Sequence, residues 1–197
     1  MRLENKQREA YLGYIKERLD EKRIRHTLGV EKMALAMAER FGADEAAAQT
    51  AALLHDAAKK IKKQEKRDLA QIYNIRTDDI TMVQPDLLHG PLAAKMVKQQ
   101  LGIADEDILN AICYHTTGRA GMSKLEKIIY LADLIEEGRS FPGVEQLRAL
   151  AEEDLDKALL AGMRHVLLYV IGRGELVHPD SVIAYNHLIQ QKGEREV

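Results

Sequence analysis

Ala51 to Lys59 reads AALLHDAAK: an apolar run that ends on an imidazole and a carboxylate side by side, His55 and Asp56. Such a run is a helix face turned to the core. Polar side chains at its end stay inside only where something there satisfies them. What that something is has to be read from the rest of the chain.

Working outward, helical periodicity dominates. Leu155, Leu159, Met163, Val166 and Val170 recur at steps of three and four residues, the pattern of one buried helix face. Comparable stripes run from Tyr11 to Leu19, through Val30, Met33, Met37 and Phe41, and through Ala93, Met96, Val97 and Leu101. Breaks are expected at Gly42, Gly90-Pro91, Gly102, Gly118 with Gly121, Pro142-Gly143 and Pro179. No window alternates apolar and polar residues with β-branched enrichment, so no strand is expected. The economical fold is all-α, a single-domain helical bundle over residues 1–197 with about eight to ten helices. The basic segment from Lys59 to Asn74 reads as the solvated face of a surface helix, Lys59 excepted.

Composition narrows the function. With 197 residues, 46% hydrophobic and 30% charged, the chain is an ordinary globular protein with room for one good-sized core. A net charge of −2, 5% aromatics and no Trp give no footing for nucleic acid or an anionic membrane. Cys113 is the single cysteine and has no internal partner, which reads as a reducing compartment. The N-terminus has no signal-like apolar core. The most apolar stretch, Leu159 to Gly172, is interrupted by Arg164 and His165 and is too short to cross a bilayer. A cytoplasmic protein is expected.

His26, His89, His115 and Asp133 sit in apolar contexts like that of His55 and Asp56. His26 opens HTLGVEKMALAMAERF, His89 precedes Gly90-Pro91, His115 ends ILNAICYH, and Asp133 lies inside KIIYLADLIEEG. Taken singly, each is an ordinary structural histidine or a paired aspartate. As a set of six at the ends or middles of successive helices, they suit convergence on one divalent ion, with Fe, Mn, Co, Ni and Zn all compatible with imidazole and carboxylate donors. Spacings of 29, 33, 26 and 18 residues are too long for a zinc finger and fit ligands from separate helices. His165, His178 and His187 show no such pattern and are assigned no role.

The order H…HD…H…H…D from His26 to Asp133 resembles the HD-domain superfamily of metal-dependent phosphohydrolases. HDAAKK, HGPLAA, AICYHTTG, LEKIIYLADLIEEGRSFPGVEQLR and HPDSVIAYNHLI resemble its bacterial YqeK family in particular. The resemblance implies an HD-type bundle with its core motif at about residues 20–140 and the C-terminal helices packed on it. The implied activity is the symmetrical cleavage of diadenosine tetraphosphate into two ADP. His26, His55, Asp56 and Asp133 match the family's metal ligands. His89 and His115 match two histidines that bind either a second metal or substrate phosphate. Iron is the implied metal, and a homodimer the implied assembly.

A divalent metal would bring water toward a neutral pKa and polarise a phosphoryl oxygen, and Asp56 is expected both to bind metal and to orient the water. A polyanionic substrate calls for cations nearby. Lys59 is expected to reach the pocket from a continuing helix. Arg139 leaves the metal on a loop and has a guanidinium suited to phosphate. Arg173, between two glycines, is a third candidate, and Thr116 in the HTTG turn is a candidate hydrogen-bond donor to phosphate; helix capping is the competing role for both arginines and turn capping for Thr116. The catalytic set is therefore Asp56, Lys59, His89 and His115, with Thr116, Asp133, Arg139 and Arg173 added for substrate. Competing functions are another HD-type activity, whether nucleotidase, deoxynucleotide triphosphohydrolase or phosphodiesterase, and a non-catalytic nucleotide-binding module.

Overall fold

A computed structural model describes residues 2–195, with eleven α-helices, one 3₁₀ turn and, among these residues, no strand. The helices are α1 (Asn5–Lys16), α2 (Glu21–Phe41), α3 (Glu45–Leu54), α4 (Lys63–Ile72), α5 (Asp79–Val83) and α6 (His89–Leu101), the 3₁₀ turn Pro85–Leu88 preceding α6. They continue with α7 (Glu106–Tyr114), α8 (Lys124–Ile135), α9 (Val144–Glu153), α10 (Leu155–Gly172) and α11 (Pro179–Arg195). The all-α reading holds, with a helix more than the eight to ten expected.

Local signals set the starts and stops. The side chains of Asp20, Asp44, Asp105, Ser123 and Asp154 accept first-turn amides of α2, α3, α7, α8 and α10, each cap contributing about 1 kcal/mol. Gly42 and Gly102 end α2 and α6 in the left-handed conformation that glycine adopts without penalty. Because Asp20 supplies the cap, α2 begins five residues before His26, not at it. Gly90-Pro91 marks the expected helix start: α6 begins at His89, so both lie in its first turn, where a missing amide proton costs no helix bond.

The core is built around α8. Leu125, Ile128, Ile129, Tyr130, Leu131, Ala132 and Ile135 are buried on nearly all sides of it, and α2, α3, α7, α9 and α10 pack against it. The alanine-rich α3 lets α2 come close, with Ala48, Ala51 and Ala52 fully buried. Two glycines mark approaches that admit no side chain. A Cβ on Gly29 of α2 would lie 2.5 Å from the Glu136 carboxylate just past α8, and one on Gly90 of α6 would lie 2.5 Å from the Cys113 carbonyl of α7. Both crossings fall within a turn of a histidine from the six-residue set.

Two expectations are corrected. Of the α10 stripe only Leu159 and Met163 are buried; Leu155, Val166 and Val170 are half-covered, and Leu168, Tyr169 and Ile171 are exposed. Lys66, read as part of a solvated face, is buried, with its ammonium donating to the Lys59 carbonyl and to Asp86.

Candidate metal centre

Five helices deliver the six groups. His26 lies in the second turn of α2, His55 caps the C-terminus of α3 with Asp56 next to it, and His89 is the first residue of α6. His115 caps the C-terminus of α7, and Asp133 sits in the last turn of α8. His55, Asp56, His89 and His115 are buried, whereas Asp133 opens partly to solvent.

The outward hydrogen bonds fix which way the imidazoles point. Nδ1 of His55 donates to the Ala52 carbonyl at 2.7 Å, and Nδ1 of His115 to the Ile112 carbonyl at 2.7 Å. Nδ1 of His89 donates to the Asp86 carbonyl, and Nδ1 of His26 to Oε1 of Glu136 at 3.0 Å. Those oxygens only accept, so Nδ1 carries a proton in each ring, and in the neutral form each Nε2 is an inward lone pair.

What the lone pairs face decides the chemistry. His26 Nε2 lies 3.0 Å from Asp133 Oδ1 and His55 Nε2 lies 3.4 Å from Asp56 Oδ2. His89 Nε2 is 3.3 Å from Asp56 Oδ1 and 2.9 Å from His115 Nε2. Acceptors thus confront acceptors in a buried space, and Nε2 of both His26 and His55 has no hydrogen-bond partner. A cation among them removes that conflict. Bonds of about 2.1 Å place neighbouring donors roughly 3 to 3.4 Å apart, the separations seen here. Three triads have donor atoms within 4.8 Å of one another: His26-His55-Asp56, His55-His115-Asp133 and Asp56-His89-His115. The residues fit a divalent transition ion, with Asp56 shared between two of the triads.

Electrostatics agree with that arrangement. Burial works to raise the Asp56 carboxyl, but His55 and His89 outweigh it and hold Asp56 well below the usual carboxylate range. Asp133 is lowered in the same way, against burial, by His26, His55 and Arg139. Burial pushes His115 down to about 3 and lowers His89, so both stay neutral and able to ligate. His55 is raised, because Asp56 overcomes its burial. Cys113 is pushed up to about 12 by burial, which leaves it an inert thiol at neutral pH.

Cations ring the open side. Lys59 Nζ is 3.1 Å from His89 Nε2 and 3.9 Å from Asp56 Oδ1. It arrives not on a continuing helix, since α3 stops at Leu54, but on the tight turn after it, where the Lys59 amide donates to the Asp56 carbonyl. Arg139 donates through Nη2 to Asp133 Oδ1 at 2.5 Å and through Nε to the Asp133 carbonyl at 2.8 Å. Thr116 Oγ1 is 3.3 Å from His89 Nε2. Arg173 stands apart: it is exposed beyond α10, pairs with Glu175 at 2.7 Å and lies over the Tyr169 ring, with no contact among the described residues to the cluster. Of the histidines assigned no role, His165 stacks on Phe141 and His178 lies between Asp78 and Asp180.

Three residues at the site escaped the sequence reading. Arg23 bonds Asp56 Oδ2 at 2.9 Å, Glu136 orients His26, and Lys66 ties the Lys59 backbone to Asp86. Arg23 lies three residues before His26 and Glu136 three after Asp133, so helical spacing from the ligands was the available signal.

A bundle that gathers histidine and aspartate donors from successive helices is the architecture of a metal-dependent hydrolase, and comparison with known proteins agrees. The HD domain family model matches residues 23–138, and the chain belongs to the HD domain family. It is 42% identical to the symmetrical bis(5′-nucleosyl)-tetraphosphatase of Bacillus subtilis, over 92% of this chain and 97% of that protein. The protein of the same name from Halalkalibacterium halodurans is 41% identical over 92% of this chain and 96% of its own length. A crystal structure from Clostridium acetobutylicum, of a predicted HD superfamily hydrolase involved in NAD metabolism, is 41% identical. It superposes with a TM-score of 0.90 over 93% of this chain and 97% of that one. These relatives represent the YqeK branch that the sequence motifs resemble.

Proposed function

We propose that this chain is a symmetrical bis(5′-nucleosyl)-tetraphosphatase that hydrolyses diadenosine tetraphosphate into two ADP. The observation that carries the reading is the 42% identity, nearly end to end, to a protein of that activity. The donor set supports the metal-dependent part. His26, His55, Asp56 and Asp133 are the ligands assigned to the first ion, and Asp56, His89 and His115 to a second ion or to substrate phosphate. Iron is the assigned metal by family resemblance, and the mixed nitrogen and oxygen donors are compatible with it as with Mn, Co, Ni or Zn.

A divalent ion supplies an acidified water and Lewis acidity toward a phosphoryl oxygen. The remaining work falls to the chain. ADP departs as an anion, so the leaving half needs its charge neutralised rather than a proton delivered. Arg23, Lys59 and Arg139 are the cations at the mouth, each about a third exposed, and each is assigned to the tetraphosphate. Thr116 is assigned one phosphate oxygen. Asp56, held ionised, is assigned to accept a proton-bearing contact from the attacking water. Two identical products require attack at an inner phosphorus, so one nucleoside diphosphate lies over the cluster and the other projects outward. Among the described residues no helix is long and apolar enough to cross a membrane. A cytoplasmic location is carried over from the sequence reading and a homodimer from the family resemblance.

Turnover of diadenosine tetraphosphate by protein supplied with Fe(II) or Mn(II), followed by ion-exchange chromatography, tests the reading. ADP as sole product is expected. AMP with ATP, or faster hydrolysis of mononucleotides or deoxynucleoside triphosphates, would overturn it.

A further inference from the structure

Among the four inward-facing imidazoles, three are oriented by neutral backbone carbonyls, while His26 alone is oriented by a carboxylate, that of Glu136. Glu136 is buried, and the residue next to it, Glu137, is exposed and pairs with Lys32 at 2.6 Å. A neutral Nδ1–H needs no more than a carbonyl, and burying a carboxylate costs free energy unless a positive charge compensates it. Arg139 Nε approaches only to 3.8 Å. A cation held on the far side of the His26 ring would supply the rest.

The second oxygen has its own task. Oε2 of Glu136 accepts the amide of Gly138, and the Glu136 carbonyl accepts the amide of Arg139 at 2.9 Å. That turn carries Arg139 back onto Asp133. Arg148 secures it from below by donating to the carbonyls of Ile135, Glu136 and Arg139. The carboxylate fits a space kept clear by glycine on both sides, since a Cβ on Gly29 or on Gly138 would lie 2.5 Å or 2.9 Å from Oε2.

We propose that Glu136 is a positioning residue whose two oxygens hold a metal ligand, His26, and a phosphate-facing cation, Arg139, in one register. The proposal rests on the metal-centred reading above. It makes a sharp demand: two N–H donors converge on one side chain, so both of its polar atoms must accept. A carboxamide offers one acceptor and one donor. In Glu136→Gln, either the Gly138 amide or His26 Nδ1 meets an N–H, and in the second case the His26 proton moves to Nε2 and blocks ligation.

The test loads wild-type and variant protein with Mn(II) and follows its release to an excess of chelator, with circular dichroism and thermal melting of the metal-free proteins alongside. Glu136→Gln is expected to accelerate release about 10- to 100-fold. Glu136→Asp keeps both acceptors on a shorter arm and is expected to fall between Gln and wild type, which also decides the matter should the Gln variant not fold. Glu31→Gln, a buried carboxylate away from the cluster, is expected to release Mn(II) at the wild-type rate. Release from either folded Glu136 variant at the wild-type rate, or equal acceleration by Glu31→Gln, overturns the proposal. A wild-type protein that holds no Mn(II) at all would instead contradict the metal reading beneath it.

Discussion

His26 and Glu31 lie five residues apart on helix α2 and differ in how far their inward polar atoms are satisfied. Around Glu31 the match is complete. Oε1 accepts from Arg8 Nε at 2.6 Å and from Gln49 Nε2 at 2.7 Å, Oε2 accepts from Arg8 Nη2 at 2.7 Å, and Gln49 in turn accepts the Leu3 amide. Around His26 the outer nitrogen is matched and the inner one confronts acceptors. Buried polarity that closes on itself holds the chain together, here tying its start to α2 and α3. Buried polarity left open toward a common point is a place for something else to bind.

If that distinction is sound, damage to the two clusters has different consequences. The largest effect is expected for Asp56→Ala, which removes the carboxylate shared by two triads. Loss of turnover by a factor on the order of a thousand and loss of bound metal are expected together, by ADP release and metal analysis. Activity that survives loss of the metal would break the comparison on the His26 side. Glu31→Ala is expected to lower stability by about 2 to 3 kcal/mol in urea unfolding, because Arg8 and Gln49 lose their acceptor, with turnover per folded molecule unchanged. A large fall in turnover without a fall in stability would break it on the other side.

Next in size is Arg139→Lys, which keeps the charge and loses the fork. A rise of roughly tenfold in KM, with metal content unaltered, sharpens the division between metal and phosphate sides. Acidification sharpens it further. His89 and His115 sit below the ordinary histidine value of 6.5, so the unfolded chain binds their protons more readily. Their contribution is present above about pH 6.5 and drains away as pH falls toward the His115 value of about 3. His55 is raised and acts oppositely, contributing at low pH and losing that as pH rises, so one of the two losses is offset. Protonation of Asp56 and Asp133, both lowered, adds to the loss in still stronger acid. The urea midpoint of metal-free protein is expected to fall from pH 7.5 to pH 5; a flat profile would contradict the buried neutral histidines. Smallest of all, Arg173→Ala is expected to leave KM within roughly twofold of wild type, as an exposed pair contributes little.

The six-residue cluster was legible because ionisable groups at the ends of apolar runs are conspicuous: AALLHD and KIIYLAD each announce a polar atom where the helix faces inward. The side chains that surround the cluster were less so. Arg23 sits between Lys22 and Arg25 and looks like one more surface cation; only the start of α2 at Glu21 puts it a turn before His26, facing Asp56. Glu136 and Glu137 are a plain acidic pair in sequence, and the extended Glu136 backbone that ends α8 sends one inward and the other to solvent. Lys66 is hidden by its basic neighbours in the same way. Val166 and Val170 misled for the opposite reason: periodicity reports a face that can be buried, and beyond Met163 little packs against that face.

The measurement closest to the central claim is anomalous diffraction from crystals of the protein loaded with Mn(II). A peak within bonding distance of Nε2 of His26 and His55 and of oxygens of Asp56 and Asp133 is the predicted result. An Mn(II) peak only at surface carboxylates, with the four imidazoles unshifted around an ion-free centre, would contradict it.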